Sequence, residues 1–218
     1  MAGVALLEHI DVEALSLSFE TQPASAVVRW AVEQFSPHLC LTASMTDAVL
    51  IDIAVKVDPS IEVVFIDTGH HFPETLDTVE RVRRRYGLNL RIVTAGPSPA
   101  PLVDGCCSVS KVAQLDRALA GKQAWMSGLR RSEAPTRAAA PIVGCDKRGL
   151  VKINPLATWT DLDVAGYIAD HDVPVNPLVH RGYLSVGCAP CTRPVVDVDD
   201  PRSGRWAGQD RTECGLHT

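Results

Sequence analysis

From His38 onward, apolar runs of strand length alternate with stretches of helix length, and this alternation restricts the chain to very few architectures. HLCLTA is a short apolar run, AVLIDIAVKV follows at helix length, and IEVVFID at residues 61–67 is rich in β-branched residues. A second helix-length stretch, TLDTVERVRRRYG, leads to NLRIVTAG, SVSKVAQLDRAL to KQAWMSG, and GLVKINPL to DLDVAGYIADH. Strands spaced by helices in this way predict an α/β fold whose mainly parallel sheet is flanked by helices. SAVVRWAVEQF at residues 25–35 adds an amphipathic helix ahead of the first strand.

Local signals sharpen the boundaries. Ser44 or Thr46 is placed to cap the helix that Asp47 opens, Pro73 and Glu74 suit a first helical turn, and Gly87 suits its end. Thr160 with Asp163 reads as a cap before DLDVAGYIADH. In sheets of this type ligands bind beyond the strand C-terminal ends, so loops 42–47 and 67–74 are expected side by side at a nucleotide site. After about residue 172 the periodicity weakens into a Pro-, Gly-, Cys- and Arg-rich stretch. The chain therefore divides into an N-terminal segment (1–24), an α/β nucleotide-binding domain (25–171), and a cysteine-containing segment with an irregular, mobile C-terminal tail (172–218).

With 218 residues and 46% hydrophobic composition, the chain can bury one globular core. Its net charge of -5 argues against broad binding to nucleic acid or to an anionic membrane surface. The start, MAGVALLEHIDVEAL, lacks the basic residues of a secretory signal, and no apolar stretch reaches membrane-spanning length, so a cytoplasmic location is expected.

In reducing cytosol, seven cysteines are free for metal binding or chemistry rather than for structural disulfides. Two pairs stand out, Cys106-Cys107 and Cys188-Ala-Pro-Cys191. Adjacent side chains diverge, so the tandem pair suits an iron–sulfur cubane, with each thiolate on its own iron, better than one tetrahedral zinc. Zinc, or four unrelated buried thiols, stays open on the residues alone. Cys40 reads as a packed core thiol, and Cys145 lies in the turn-like GCDKRG.

Cys214 is the fifth residue counted from the end, in ECGLHT, with Arg211 three residues before it and His217 three after. Flanking cations favour the thiolate, the nucleophilic form. Lys111, Arg130, Arg131, Arg137, Arg202 and Arg205 could surround a strongly anionic substrate, because guanidinium groups match phosphate and sulfate oxygens. Arg81, Arg83, Arg84 and Arg85 read as solvated charge late on a helix; His70 and His71 could touch a ligand, with exposure in the loop the preferred expectation.

FIDTGHHFPET, the tandem cysteines with Lys111, Trp125 to Arg137, CAPC and the terminal ECGLH occur together and in order. In this combination the chain resembles the iron–sulfur branch of the assimilatory adenylyl-sulfate (APS) reductases over about residues 25–218. Related 3′-phosphoadenylyl-sulfate (PAPS) reductases keep the terminal cysteine motif and lack the two cysteine pairs. The resemblance implies an adenine-nucleotide alpha-hydrolase-like fold, a 4Fe-4S cluster on Cys106, Cys107, Cys188 and Cys191, and Cys214 as nucleophile. It implies thioredoxin as electron donor, with sulfite and AMP as products of an S-sulfocysteine route in sulfate assimilation. Carried over by motif, Thr42, Ser44, Asp67, Lys111, Gly128, Arg137, Arg202, Arg205 and His217 contact substrate. The loop TASMTD contains no glycine, unlike the glycine-rich loop of related ATP-splitting enzymes, which argues against ATP cleavage. Two alternatives remain beside this reading: a PAPS reductase, and a noncatalytic zinc-stabilised nucleotide-binding module.

Overall fold

The computed structural model describes residues 11–94, 110–197, 200–206 and 213. Helices α1 (Val12–Ser18) and α2 (Ala24–Phe35) precede β1 (Leu39–Ala43), α3 (Val49–Val57), β2 (Glu62–Asp67), α4 (Pro73–Tyr86) and β3 (Asn89–Thr94). Then follow α5 (Val112–Leu119), β4 (Ala124–Ser127), β5 (Val143–Cys145), β6 (Val151–Ile153) and α6 (Asp161–His171). The six strands form one sheet in the order β3-β2-β1-β4-β6-β5. All neighbours pair in parallel except β5 with β6, which is antiparallel.

Side-chain alternation along the strands explains the layers. Leu39, Leu41, Val63, Phe65, Met126 and Ile153 join one buried cluster with residues of α2 and α3. Their neighbours Cys40, Val64, Ile66 and Trp125 face the opposite side, where Leu115, Ala118 and Leu119 of α5 cover them. Apolar residues on both faces are what a parallel sheet covered on both sides requires. One acid is buried between α3 and α6: Asp52 accepts a hydrogen bond from Tyr167 Oη at 2.7 Å and pairs with Lys56 Nζ at 2.6 Å, so its charge is compensated.

Several caps match the sequence expectation. Pro73 opens α4, and Gly87 ends it in the left-handed region at φ 58°, where a Cβ would be strained. Thr160 and Asp163 form a reciprocal capping box at α6. The expected cap of α3 is different. Ser44 and Thr46 lie 3.4 Å apart, oxygen to oxygen, and the helix begins at Val49, whose N–H is taken by the Asp47 carboxylate at 3.0 Å. A carboxylate is the stronger acceptor and places charge at the positive helix end, so it supplants the two hydroxyls.

β5 is absent from the sequence reading, which saw a turn at GCDKRG. The turn exists, closed by the Asp146 carboxylate on the N–H groups of Arg148 and Leu150, and it joins β5 to β6 as a hairpin. The N-terminal segment also packs on this edge. Ser16 Oγ accepts hydrogen bonds from the N–H groups of Ile142 and Val143, and Arg131 forks the Glu20 carboxylate at 2.6 and 2.8 Å. Among the described residues beyond Asp172 there are only short 3-10 turns and isolated bridges, in line with the irregular wrapping expected there. Among the described residues no helix is long and apolar enough to cross a membrane.

Candidate functional site

The chain passes from β1 to β2 and β3 on one side, then returns to place β4 on the other side of β1. A crevice opens at such a reversal, beyond the strand C-terminal ends. Here it forms one cleft lined by Thr42 near the end of β1 and Ser44, Thr46 and Asp47 after it, and by Ser127 at the end of β4 and Gly128 and Arg130 after it. Residues 184–187 and two arginines from 200–206 complete the wall.

The loop after β1 lacks glycine but adopts a backbone that glycine favours. Met45 is fully buried at φ 61°, in the left-handed region. That conformation costs a non-glycine residue about 1–2 kcal/mol, so something must hold it. Asn176, itself fully buried, does so. Its Nδ2 donates to Met45 O at 3.2 Å and to Thr75 Oγ1 at 3.0 Å, while its backbone N–H donates to Thr46 O at 2.9 Å. Neither Met45 nor Asn176 was singled out by sequence reasoning, because a left-handed methionine has no sequence signature.

Among the described residues five cations line the cleft, from three separate segments: Lys111 before α5, Arg130 and Arg137 after β4, and Arg202 and Arg205. Most carry counter-charges. Arg130 pairs with Asp161 and Glu133, and Arg137 Nη1 pairs with Glu133. Arg137 Nε and Nη2 also fork the Glu213 carboxylate at 2.7 and 2.8 Å, and Arg202 Nη2 reaches its second oxygen at 3.1 Å. Burial alone would lower the Arg137 pKa, but the Glu213 and Glu133 carboxylates outweigh it and raise it. Burial would raise Glu213, and the Arg137 guanidinium reverses this and holds it below the ordinary carboxylate value. Among the described residues Lys111 has no ion-pair partner.

Arg205 stacks over Trp206, its guanidinium carbon 4.4 Å from the ring centroid, and donates to Ser185 Oγ at 3.2 Å. Gly187 permits this position, because a Cβ there would lie 2.5 Å from Arg205 Nη2. The same strip of chain is tied to the CAPC turn. Thr192 bridges Arg205, Trp206 N–H donates to Cys191 O at 3.0 Å, and Arg193 N–H donates to Gly204 O at 2.8 Å. On its other flank the turn is fastened to the loop after β2, where His71 bridges Cys188 and Ala189 N–H donates to His70 O. Cys188 Sγ lies 3.2 Å from Thr68 Oγ1.

Of the residues expected to contact substrate, Thr42, Ser44, Lys111, Gly128, Arg137, Arg202 and Arg205 therefore converge on one cleft. Asp67 does not line it. Its carboxylate accepts Gly69 N–H at 2.8 Å and shapes the turn after β2. Thr42 Oγ1 is engaged with Met126 O at 3.2 Å, which fastens β1 to β4. Cys106, Cys107, Cys214 and His217 lie outside the described residues.

The expected exposure of His70 and His71 is corrected: both are half-buried. His71 lines the cleft, and its ring packs on Phe65 with centroids 4.9 Å apart. With Nε2 at 3.0 Å from Ile66 O, Nε2 carries the hydrogen and Nδ1 is left as a buried acceptor with no partner among the described residues. Burial pushes its pKa down, which keeps the ring neutral. The signal for this was available, since His71 directly precedes an apolar residue and the proline that opens α4. Glu133 and Glu213 were also missed as counter-charges, although Glu133 stands one helical turn before Arg137.

Among the described residues no three His, Cys, Asp or Glu side chains form a metal-holding group. The chemistry of the described donors nevertheless fits a thiophilic centre. Two cysteines stand in one tight turn, Cys191 N–H donates to Cys188 O at 3.0 Å, and beside them the buried Trp206 Nε1 has no hydrogen-bond partner among the described residues.

Comparison with known proteins agrees with this geometry. Residues 38–194 match the phosphoadenosine phosphosulfate reductase domain. The chain is 46% identical over 211 residues to an adenosine 5′-phosphosulfate reductase of Streptomyces coelicolor, covering 91% of this chain and 89% of that one. It is 48% identical over 190 residues to the protein of that name from Mycobacterium tuberculosis, covering 81% and 75%. Among solved structures it is similar to PAPS reductase from Candida auris in a phosphate complex, at 29% identity and TM-score 0.75, covering 85% of this chain and 97% of that chain. Candida glabrata FMN adenylyltransferase, at 14% identity and TM-score 0.61 over 89% of this chain and 75% of that one, shares the fold. The crevice at the strand reversal, the arginine strip joined to the CAPC turn and these likenesses have one common explanation: the chain belongs to the phosphoadenosine phosphosulfate reductase family.

Proposed function

We propose that this protein reduces adenylyl sulfate to sulfite and AMP in sulfate assimilation, through an S-sulfocysteine on Cys214 and with thioredoxin as electron donor. The observation that carries the reading is the docking of Glu213, the residue before Cys214, on Arg137 and Arg202 in the cationic cleft.

The chemistry needs such a place. Cys214 thiolate attacks the sulfur of the sulfate–phosphate anhydride, an S–S bond forms, the S–O bond to phosphate breaks, and AMP leaves with the electron pair. A thiolate meets like-charge repulsion at an anionic sulfonyl phosphate. Lys111 and Arg205 at the cleft wall offset it and favour the charge that moves onto the leaving phosphate. His217 is assigned beside the nucleophile, where its cation favours the thiolate. Ser44, Thr42 and the backbone around Met45 are assigned to the nucleotide, with Gly128 leaving open space beside β4, where a Cβ would meet nothing within 4 Å. His71 Nδ1 offers an acceptor to a ligand hydroxyl or amino group.

In the second half-reaction a thioredoxin thiolate attacks Cys214 Sγ and expels sulfite. The second thioredoxin thiol then resolves the mixed disulfide and returns Cys214 as a thiol. Both electrons come from the dithiol. This cycle requires a reducing compartment, which is the basis for a cytoplasmic assignment.

Cys188 and Cys191, with Cys106 and Cys107, are the residues we assign to a 4Fe-4S cluster. Bound there, the cluster supplies a rigid cross-link between the cysteine pairs and a compact charge near the cleft. The division into a nucleotide-binding domain at 25–171 and a cysteine-bearing segment at 172–218 is part of the same proposal, supported by the fastening of the CAPC turn to the loop after β2.

Intact mass spectrometry of the reduced protein after separate incubation with APS and with PAPS, without thioredoxin, tests the reading. An added SO3 group on Cys214 from APS is the expected result. An adduct from PAPS alone overturns the substrate assignment. Absence of both adducts from folded, metal-replete protein overturns the enzyme reading in favour of a binding module.

A further inference from the structure

A hydroxyl has one hydrogen to give and two lone pairs to receive, so what it offers a ligand depends on where its hydrogen already goes. On the floor of the cleft two hydroxyls have committed theirs. Ser127 Oγ, at the end of β4, donates to Asn154 Oδ1 at 2.7 Å, and both residues are 2% exposed. The Asn154 amide cannot turn over to reverse this bond. Its Nδ2 donates to Pro141 O at 2.8 Å, and a flipped amide would set its oxygen against that carbonyl. Thr42 Oγ1, near the end of β1, donates to Met126 O at 3.2 Å, and a carbonyl only accepts.

Thr42 and Ser127 are paired across β1 and β4, so their side chains stand on one face of the sheet, with backbones about 4.8 Å apart. Both line the cleft. Two neighbouring oxygens that only accept repel anion oxygens and bond only groups that carry hydrogen. The cleft is thereby divided. Cations such as Lys111 and Arg205 are set for sulfate and phosphate, and this floor for a neutral donor. An adenine nucleotide carries two such groups, the ribose hydroxyls and the adenine amino group. Toward β2 the lining is apolar, with Val64, Ile66 and Leu115, which suits the flat base. Ser127 lies on the other side of β1, next to Gly128 and three residues from Arg130, on the way to the cations. That is where the ribose, which joins base to phosphate, has to pass.

We propose that Ser127 Oγ and Thr42 Oγ1 accept the two ribose hydroxyl hydrogens of the nucleotide, so that the cleft reads the sugar by its donors. This rests on the reading of the cleft as an adenine-nucleotide site and states what that site requires of the sugar.

Equilibrium binding of AMP, 2′-deoxy-AMP and 3′-deoxy-AMP to the holoenzyme tests it without turnover. Wild type is expected to bind AMP about three- to tenfold more tightly than each deoxy analogue, the span of one neutral hydrogen bond. Ser127→Ala is expected to cancel the penalty at one hydroxyl, bringing AMP and that analogue within about twofold, and Thr42→Val to cancel it at the other. Weakened packing alone would lower all three affinities together and leave their ratios as they were. Ser127→Thr keeps the hydroxyl and should keep the ratios, which covers the case of a Ser127→Ala protein that does not fold.

IMP, in which a carbonyl replaces the adenine amino group, is the fourth probe. A penalty for IMP that Ser127→Ala cancels, with the deoxy ratios untouched, overturns the sugar assignment in favour of the base. Deoxy analogues that bind wild type as tightly as AMP overturn the proposal, and so do ratios unchanged in both variants. If wild type binds none of the four, the reading of the site falls together with the proposal. If APS yields no sulfonate while the deoxy penalties and their cancellation stand, the chemistry assigned to Cys214 fails and the acceptor pair is upheld.

Discussion

The clamp of Asn176 on the loop after β1 lends itself to a quantitative test. Asn176→Ala removes three side-chain hydrogen bonds: to Met45 O, to Thr75 Oγ1, and from Leu178 N–H to Oδ1 at 3.1 Å. Thr75 can turn its hydroxyl elsewhere, and Thr78 beside it already does so toward Glu74 O. Met45 O and Leu178 N–H cannot. Each buried main-chain group left unpaired costs about 1–3 kcal/mol, so the substitution should destabilise by about 3–5 kcal/mol. For a chain of this length that lowers Tm by on the order of 10 °C, which leaves a protein of ordinary stability folded at room temperature.

A second effect is separable from the first. Without the clamp, Met45 relaxes out of the left-handed region and releases about 1–2 kcal/mol, which a nucleotide must restore on binding. The APS dissociation constant should therefore rise about tenfold. Met45→Gly runs the comparison from the other side. It relieves the same backbone cost but deletes a fully buried side chain, a loss of about 2–5 kcal/mol, so packing wins and the net change is destabilising by about 1–3 kcal/mol. Denaturant unfolding followed through Cm at constant m, with APS binding measured below the transition, checks both variants. A loss of stability below about 1 kcal/mol in Asn176→Ala, or an unchanged APS affinity, refutes the argument that this clamp shapes the site.

Three further outcomes follow from the same geometry. Iodoacetamide on native protein should label the exposed Cys145 and spare Cys40, whose thiol burial pushes up to about 12, and Cys40 should react only on unfolding; peptide mapping reads this directly. Burial lowers Lys152 to about 8, so between pH 8 and the ordinary value of 10.5 the unfolded chain binds a proton the folded one does not, and stability rises with pH across that window. Lys152→Met should therefore unfold at higher denaturant than wild type at pH 7, with the difference closing by about pH 10.5, and equal midpoints at pH 7 would defeat the reasoning. Arg131→Ala, which frees Glu20 from a partly exposed pair, should cost about 1 kcal/mol by thermal unfolding and leave APS affinity unchanged, because Arg131 belongs to the N-terminal packing and not to the cleft.

What could be read from the residues was set by the range of the forces involved. Strand and helix alternation is a local record of burial, and so IEVVFID, TLDTVERVRRRYG and the Thr160–Asp163 cap were legible where they fell, as was the sheet they build. The hairpin edge at β5 was not legible, because three residues carry no period and their pairing with β6 depends on a turn closed by the Asp146 side chain. The site divides along the same line. The residue types that carry charge or sulfur announce themselves one at a time, and seven of the expected contacts do meet in one cleft. How those charges are shared does not show in sequence: Arg137 and Glu213 are 76 residues apart, and only folding decides that a guanidinium which matches a sulfate is already filled by a carboxylate. Met45 and Asn176 are the sharper case. A glycine-free loop reads as unable to form a glycine-like cradle, yet a buried amide 131 residues away supplies the hydrogen bonds that hold it there. Long-range hydrogen bonds thus substitute for a local preference, and the loop's chemistry is encoded as much at position 176 as at positions 42 to 47.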